Sequence, residues 1–469
     1  MFSNVKLTHA AALAAALLVP AVAGAAASTT LYGGGATLPA NAYVGDSWLT
    51  DDGMTTNIPV RNLTNPADAG SLFGAWTAAG TGRPSVSYCQ TGSGTGRKVL
   101  IGTNLASGTC PNVGGGTPTG FAALDDDGNF SATDAPLSAT EYNTFLTNKP
   151  DRGEPVQIPS LAGAIAIVYN NSNVPTQLHL TESQICQIFA GTITNWQDIK
   201  PSYGNIAIKV VYRDSDSGTS FNMSNHLSAV CPNAVPTGVP GWKTKGLFSS
   251  AFPNGVPFGA IAASGNGGVV TTVVATPGSI GYAEVSDAVV RSQLDNGNKI
   301  NYATVQIQPD GGGFVYKKLD PVKHFKATFN VPAGGLKTDQ VLSGSLDTNG
   351  RPLLQAQDPA TVAGCLLLVD PNTIATSSTY VTPAGATDYQ DYPIAAVTYL
   401  LGYQAGNGAN TANTKSLLGS PYLKANNFRA GVTTVGAQTG FAYLNGVSGG
   451  ANPTIPSVLT ACIKGPPAP

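Results

Sequence analysis

The stretch from Val211 to Phe221, VYRDSDSGTSF, places one arginine beside small hydroxyl and glycine residues. Arg213 would offer planar, permanently charged donors to an oxyanion. Ser217 and Thr219 would add hydroxyls, and Gly218 would let a ligand approach the backbone. A helix that begins near Ser217 would direct its free N–H groups and positive dipole end at the same anion. The stretch therefore predicts an oxyanion site or, alternatively, a capped surface turn, because Ser, Asp and Gly are also ordinary turn residues.

A second segment, GGGATLP, follows a short predicted strand near Thr29 to Tyr32. Its glycines would form a tight turn that a ligand can approach. Thr37 stands at an N-cap-like position and Pro39 suits the first turn of a helix. The segment predicts a strand, a turn and a helix start. Its composition fits a plain connection and a binding loop equally well.

The segment from Ser85 to Leu100, SVSYCQTGSGTGRKVL, repeats this order of strand, small-residue turn and helix. Ser93 would present its hydroxyl and backbone N–H at the helix start. The segment is not a P-loop, because the GK[ST] ending is missing. Arg97 and Lys98 are expected on a solvated helix face.

One carboxylate, Asp134, follows the apolar Phe130 in the segment NFSATDAPLSATEY. Asp before a small residue and proline is common in turns, so a turn or cap role is the alternative to a binding role. Ser138 is expected to start the next helix.

Further along the chain, two apolar strands are expected to pass between lobes, one over residues 158–170 and the other over Ser279 to Glu284. Thr181 and Gln184 form a capping-box pair at the start of a helix. The segment DYPIAAVTYLLGYQ is expected to be helical after Tyr392 and Pro393. Strands that alternate with helices predict an α/β fold, in which ligands gather where strands end and helices begin.

The composition of the chain excludes some classes of function. The 469 residues carry a formal charge of −2 and only 11% charged residues. No dense Lys/Arg run exists, so we expect no nucleic-acid partner. Residues 1–27 are typical of a secretory signal peptide, and no later stretch is long and apolar enough to span a membrane. We therefore expect a periplasmic or secreted monomer without a lipid-anchor cysteine.

The six cysteines are even in number and widely spaced, which in an oxidising compartment favours disulfides. Pairing of sequence neighbours is the simplest of the fifteen full arrangements. It joins Cys89 to Cys110, Cys186 to Cys231 and Cys365 to Cys462. No spacing indicates a metal site, and no cofactor is expected.

Taken together, four segments resemble the periplasmic phosphate-binding proteins of phosphate ABC transporters (PstS-like proteins), and the DING proteins among them. They are GGGATLPANAY, VSYCQTGSGTG with SATDAPLS, the first crossing strand with LTESQICQIFAGTITNW, and RDSDSGTSF with GSIGYAE. The match extends from residue 31 to about residue 285 and includes DYPI near residue 392. The DING tetrapeptide itself is absent, and TLYG stands in its place.

The resemblance implies a bilobed, Venus-flytrap α/β fold with phosphate held between the lobes. It divides the chain into a first lobe over residues 28–158, a second lobe over 159–282, and a continuation of the first lobe over 283–469. One lobe would contribute Thr37, the backbone N–H of Leu38, Ser93 and Asp134. The other would contribute Arg213, Ser217, Gly218 and Thr219. A membrane permease is the partner that the resemblance suggests.

One position departs from the family motif RADGSGTS, which is RDSDSGTS here. Ser215 replaces an aspartate that usually steadies the arginine, and Asp214 or Asp216 would have to compensate.

Asp134, as an ionised acceptor, needs a proton on its ligand, which phosphate carries near neutral pH and sulfate does not.

Three functions fit these features. The first is a non-catalytic phosphate receptor that closes by hinge motion. The second is a secreted DING-like phosphomonoesterase, although the three histidines that follow the signal, His179, His226 and His324, form no clustered metal motif. The third is a structural or adhesive protein, which leaves the four ordered segments unexplained. We expect binding rather than catalysis.

Overall fold

The computed structural model describes residues 29–45, 67–104, 127–233, 241–294, 301–307, 317–374, 392–447 and 454–465. The predicted signal peptide, residues 1–27, lies outside these ranges. No helix in these ranges combines the length and apolar character that crossing a membrane requires.

The strands of the described residues are β1 (Thr30–Gly35), β2 (Ser85–Cys89), β3 (Phe130–Thr133), β4 (Pro155–Tyr169), β5 (His179–Thr181), β6 (Lys209–Arg213), β7 (Ile261–Ala263), β8 (Ser279–Glu284), β9 (Asn301–Tyr302), β10 (Thr304–Ile307), β11 (Lys317–Leu319), β12 (Thr328–Asn330), β13 (Leu336–Thr338), β14 (Gln340–Leu346), β15 (Pro352–Ala356), β16 (Leu367–Val369), β17 (Ala395–Tyr403) and β18 (Phe441–Asn445).

The helices of the same ranges are α1 (Ala40–Val44), α2 (Leu72–Ala78), α3 (Ser93–Leu100), α4 (Ala139–Asn148), α5 (Glu182–Phe189), α6 (Trp196–Ile199), α7 (Gly218–Val230), α8 (Gly265–Ala275), α9 (Val285–Leu294), α10 (Pro359–Val362), α11 (Pro371–Ile374), α12 (Thr411–Leu418) and α13 (Ile455–Cys462).

The long strand β4 organises the molecule, because its two halves pair with different partners. The first half, up to Ala164, lies antiparallel to β17, which continues to β3, β1 and β2. The second half, from Ile165, lies antiparallel to β8, which continues to β6 and β7. We call the β2-β1-β3-β17 side the first lobe and the β8-β6-β7 side the second lobe. The expected bilobed α/β architecture, with β4 passing between the lobes, is present.

Parallel strands within each lobe explain how the helix starts come together. In the first lobe β1 runs parallel to β2 and β3. In the second lobe β6 runs parallel to β7 and β8. Parallel strands end at one edge of a sheet, so the turns that follow them lie close together.

The region after β8 does not stay with one lobe. β9 pairs with the end of β4, and β10 pairs with β5 and β11. β18 returns to the first half of β4. The predicted lobe boundaries at residues 158 and 282 themselves stay a prediction.

Local capping signals fix several helix starts. Ser138 and Glu141 form a capping box at α4, and Thr181 and Gln184 form one at α5. Each box satisfies two backbone N–H groups that a helix start leaves free. Both of these predicted helix starts are confirmed.

The prediction of a helix after Tyr392 is wrong, because residues 395–403 form the strand β17. All nine of its residues are buried between β3 and β4. A central strand that is covered on both faces shows a continuous apolar run instead of alternation, and such a run is easily taken for a buried helix. The β-branched and aromatic residues of AAVTYLLGY favour the strand.

Two of the three predicted disulfides are present. Cys186 bonds to Cys231 within the second lobe, across a sequence separation of 45 residues. Cys365 bonds to Cys462, the last residue of α13, across a separation of 97 residues. Cys110 lies outside the described residues, so its pairing with Cys89 stays a prediction.

Candidate functional site

Helix α7 begins at the edge of the second lobe with the residues that were predicted to bind an anion. Ser217 is its N-cap, and the Ser217 hydroxyl accepts a hydrogen bond from the N–H of Ser220 at 3.3 Å. Gly218 and Thr219 form the first turn of the helix, where backbone N–H groups have no acceptor within the helix. The predicted helix start near Ser217 is confirmed, and this end of α7 can face an anion.

Ser93 and Asp134 form a buried pair at the facing edge of the first lobe. The Ser93 hydroxyl donates to Asp134 Oδ2 at 2.8 Å, and the N–H of Asp134 donates to Ser93 Oγ at 3.1 Å. Both residues are at most 1% exposed. Ser93 is also the first residue of α3, as its sequence context predicts. These contacts fix the orientation of the carboxyl group and use one of its two oxygens.

The two lobes touch at this point. A Cβ added to Gly218 would overlap Asp134 Cβ and would lie 2.6 Å from Ser93 Oγ. Asn222 donates from Nδ2 to the backbone oxygen of Asp134 at 2.6 Å and to that of Gly218 at 2.8 Å. The start of α7 therefore packs directly on the Ser93–Asp134 pair, and only glycine fits at position 218.

Arg213 ends strand β6 and is 2% exposed. Its Nη1 donates to Asn266 Oδ1 at 3.3 Å, and its backbone N–H donates to the hydroxyl of Tyr282 at 3.3 Å. Burial lowers the pKa of the guanidinium, against the opposing effect of nearby groups that include Asp214 and Asp134. The group that contacts this arginine in place of the family's aspartate is therefore an amide, that of Asn266.

Asn266 also reaches into the first lobe. It donates from Nδ2 to the hydroxyl of Thr37 at 3.1 Å and to Glu284 Oε2 at 3.5 Å. Thr37 is therefore linked to Arg213 through one buried amide. The expected N-cap role of Thr37 is wrong, since α1 begins at Ala40 and Pro39 occupies its N-cap position without a side-chain cap.

Leu38 takes no part through its side chain. The side chain is fully buried, and its Cδ2 lies against Gly163 of β4. Its predicted contribution would fall to the backbone N–H alone.

Three buried polar atoms of the site have no hydrogen-bond partner within the described part of the chain. They are Asp134 Oδ1, Arg213 Nε and Thr219 Oγ1. Buried polar atoms are nearly always paired, and each unpaired one costs about 1–3 kcal/mol. One acceptor, one charged donor and one hydroxyl are thus left open around the start of α7.

The Asp134 carboxyl has an unusual acidity. Burial raises its pKa to about 7, while hydrogen bonding from Ser93 and the charges of Arg213 and Arg97 lower it in part. The group is therefore poised to gain or lose a proton near neutral pH.

The exposure of Arg97 also differs from the prediction. It was predicted on a solvated helix face, but it is 7% exposed, whereas Lys98 is exposed as predicted. Arg97 Nη2 donates to Asp216 Oδ2 of the other lobe at 2.6 Å. Asp216 is therefore engaged by Arg97.

Asn266 and Asn222 were not predicted as site residues from the sequence. Asn266 is the middle residue of SGNGG, a small-residue segment whose composition resembles the three segments already singled out, and this composition was the available signal. Asn222 lies inside α7, where an asparagine gives no comparable signal. Within the described ranges, no group of three His, Cys, Asp or Glu side chains is placed to hold a metal ion.

A model of the PBP superfamily domain matches residues 77–356. Alkaline phosphatase L of Pseudomonas aeruginosa is 29% identical over 282 residues, which cover 58% of this chain and 62% of that protein. Phosphate-binding protein PstS of Xylella fastidiosa is 33% identical over 217 residues, which cover 43% of this chain and 51% of that protein. The chain thus spans less than two thirds of the length of these relatives.

Among solved structures, a high-affinity periplasmic phosphate-binding protein (PfluDING) bound with phosphate superimposes with a TM-score of 0.58 at 22% identity. The alignment covers 92% of this chain and 93% of that one. A DING protein superimposes with a TM-score of 0.57 at 21% identity and the same coverage. These similarities confirm the predicted fold and the predicted resemblance to PstS-like and DING-type proteins.

Proposed function

Because this chain belongs to the PBP superfamily, we propose that it is a non-catalytic receptor that binds inorganic phosphate between its two lobes. The observation that supports this proposal is the set of unpaired atoms, Asp134 Oδ1, Arg213 Nε and Thr219 Oγ1. Two donor groups and one carboxylate acceptor suit an anion that itself carries a proton.

Each residue of the proposed shell has a distinct task. Arg213 supplies charge-assisted donors, and the first turn of α7 supplies backbone N–H groups and the Thr219 hydroxyl. Ser93 holds Asp134 through Oδ2, which leaves Oδ1 to accept a hydrogen bond from the protonated oxygen of phosphate. Thr37 and the N–H of Leu38 would complete the shell from the first lobe.

The place of action is part of the proposal. We propose that the protein works outside the cytoplasm, in the periplasm or as a secreted protein, in phosphate uptake or scavenging. A permease of the ABC transporter class would be its partner. The predicted signal peptide and the similarity in fold to PfluDING, a periplasmic protein, support this placement.

Calorimetric titration of the mature protein, stripped of bound ligand, tests the binding function. We expect submicromolar phosphate binding that sulfate does not compete with. Arg213→Ala should remove the binding, whereas Arg83→Ala, in the loop before β2, should retain it. Absence of binding to the wild-type protein would refute the proposal.

Phosphomonoester hydrolysis is the second candidate. It is favoured by the relative named alkaline phosphatase L and by the Ser93 hydroxyl, which donates to the carboxylate of Asp134 as a nucleophile would to a base. If this site hydrolyses esters, aryl phosphate turnover should be lost in both Ser93→Ala and Arg213→Ala. Turnover that survives both substitutions would come from another site or from a contaminant.

A further inference from the structure

An ion pair joins the two lobes beside the proposed phosphate site. Arg97 lies on α3 of the first lobe, and Asp216 lies in the loop between β6 and α7 of the second. Arg97 Nη2 donates to Asp216 Oδ2 at 2.6 Å. The two residues are 119 positions apart in the chain.

Arg97 is held in place by its own lobe. Its Nε donates to Glu141 Oε1 at 2.7 Å, and its Nη1 donates to the hydroxyl of Thr133 at 3.0 Å. Glu141 is itself fixed by the capping box at the start of α4. Arg97 therefore presents its remaining NH₂ group to the second lobe from a rigid support, and its guanidinium is not among the open donors of the phosphate shell.

The carboxylate of Asp216 is 40% exposed and lies between two glycines, Gly94 and Gly246. A Cβ added to Gly94 of α3 would lie 2.6 Å from Asp216 Oδ2. A Cβ added to Gly246 would overlap Asp216 Oδ1. Two glycines thus leave space for this carboxylate on both sides. The family motif RADGSGTS has glycine where this chain has Asp216.

We propose that the Arg97–Asp216 pair is an interlobe latch that holds the lobes closed and thereby slows the release of phosphate. This inference rests on the proposed function. Asp216 directly precedes Ser217 and Gly218, so fixing it to α3 presses the start of α7 onto Ser93 and Asp134. A closed-state contact of this kind acts on dissociation, because it forms only after the lobes have come together.

The test compares Asp216→Asn with Asp198→Asn. Asp198 is exposed and lies in α6, away from the proposed shell, so its substitution makes the same change in charge without breaking the latch. Release of radiolabelled phosphate into excess unlabelled phosphate should be roughly two- to fivefold faster in Asp216→Asn, the effect of losing one ion pair whose carboxylate is 40% exposed and therefore partly screened. Asp198→Asn should release phosphate at the wild-type rate. Equal release rates in all three proteins would overturn the latch.

A double-mutant cycle gives the second criterion. In an Arg97→Gln background, Asp216→Asn should have no further effect on release, because its partner is already gone. The same full effect in that background would overturn the latch. Thermal unfolding of each variant verifies that it is folded before its release rate is interpreted.

Small-angle X-ray scattering of the phosphate-free proteins separates the latch from the binding function. If the latch holds, Asp216→Asn should have a larger average radius of gyration than Asp198→Asn. If the wild type binds no phosphate, the proposed function fails, and the scattering comparison still decides whether the pair holds the lobes together. If the wild type binds phosphate and neither release nor scattering differs, only the latch fails.

Discussion

The two carboxyl oxygens of Asp134 have different surroundings, and this difference carries the chemistry of the site. Oδ2 accepts a hydrogen bond from Ser93, whereas Oδ1 is buried without a partner in the described residues. A carboxylate in that position accepts a hydrogen bond from a protonated oxygen of a ligand and repels an oxyanion that carries no proton. Selectivity between anions should therefore depend on the protonation of this one group.

We expect sulfate to compete better as the pH falls. Burial raises the pKa of Asp134 to about 7, so below that pH the carboxyl gains a proton and can donate it to an unprotonated oxygen. Competition dialysis between pH ~8.5 and ~5.5 should show phosphate-over-sulfate discrimination decreasing toward low pH.

Asp134→Asn should weaken that discrimination most above pH ~7, where the wild-type carboxyl is ionised, because an amide can donate to sulfate and does not titrate. The expected loss approaches the roughly 10⁴-fold advantage of sites built to pair one hydrogen. Discrimination that stays at the wild-type level in this variant would remove Asp134 from its assigned role.

The same carboxyl should destabilise the phosphate-free protein at high pH. Its pKa is about 7 in the folded chain against an ordinary value of 3.8. Its favourable contribution to stability is therefore complete below pH ~4 and is lost as the pH rises through about 7. Urea unfolding should find Asp134→Asn more stable relative to wild type at pH ~8 than at pH ~4, by up to about 4 kcal/mol. An equal difference at both pH values would contradict this expectation.

At the residue scale, the sequence identified the groups whose environment is local. Ser217 caps α7, and capping depends only on the next three residues. Arg97 was misassigned and Asn266 was overlooked because their partners lie far along the chain. Asp216 is 119 residues from Arg97, and Arg213 is 53 residues from Asn266. No local pattern reports contacts of that kind.

Helix α7 presents its first turn to the first lobe, and its first residue, Gly218, decides how closely the two lobes can pack. A Cβ at Gly218 would collide with Asp134 and lie 2.6 Å from Ser93 Oγ. Since these atoms belong to the other lobe, the collision would oppose closure without disturbing either lobe alone.

Gly218→Ala should therefore lower phosphate affinity by about 10- to 100-fold, the effect of an overpacked contact of 1–3 kcal/mol. The thermal stability of the phosphate-free protein should be retained. Gly268→Ala, in α8, is a matched substitution whose added Cβ would meet its nearest neighbour at 3.8 Å, and it should leave the affinity unchanged. Calorimetry on the two variants makes the comparison. Equal affinities would contradict the direct packing of α7 on the first lobe.

The elements near the site were more predictable than the central strand that supports it. Capping residues and glycine turns gave the starts of α4, α5 and α7. β17 carries no such signal, and its continuous apolar run has no period that separates a strand from a helix. Its identity follows from its place between β3 and β4, which depends on the whole sheet.

At the scale of the whole molecule, the Cys365–Cys462 bond fastens the C-terminal helix α13 to the first lobe. The backbone oxygen of Cys365 accepts from the N–H of Gln157 on β4 at 2.9 Å, so the bond anchors the last helix beside the central strand. It closes a loop with a sequence separation of 97 residues. Such a loop greatly restricts the unfolded chain.

The double substitution Cys365→Ala with Cys462→Ala should lower the free energy of unfolding by roughly 2–5 kcal/mol. Phosphate affinity should be retained, because neither cysteine contacts the proposed shell. Denaturant unfolding and calorimetry on the same preparation measure the two quantities. A loss of affinity without a loss of stability would show that the bond acts on the site instead.

The path of β4 between the lobes also dictates an order of assembly. The strands β6, β7 and β8 of the second lobe are complete by residue 284, whereas the first lobe requires β17, which begins at residue 395, and β18, which begins at residue 441. When the chain emerges amino end first, during synthesis or export, the second lobe can therefore finish while the first still lacks its central strand. Arg213 would then be in place long before the sheet that supports Asp134 is complete. The whole site would form only when β17 and β18, in the last sixth of the chain, have joined that sheet.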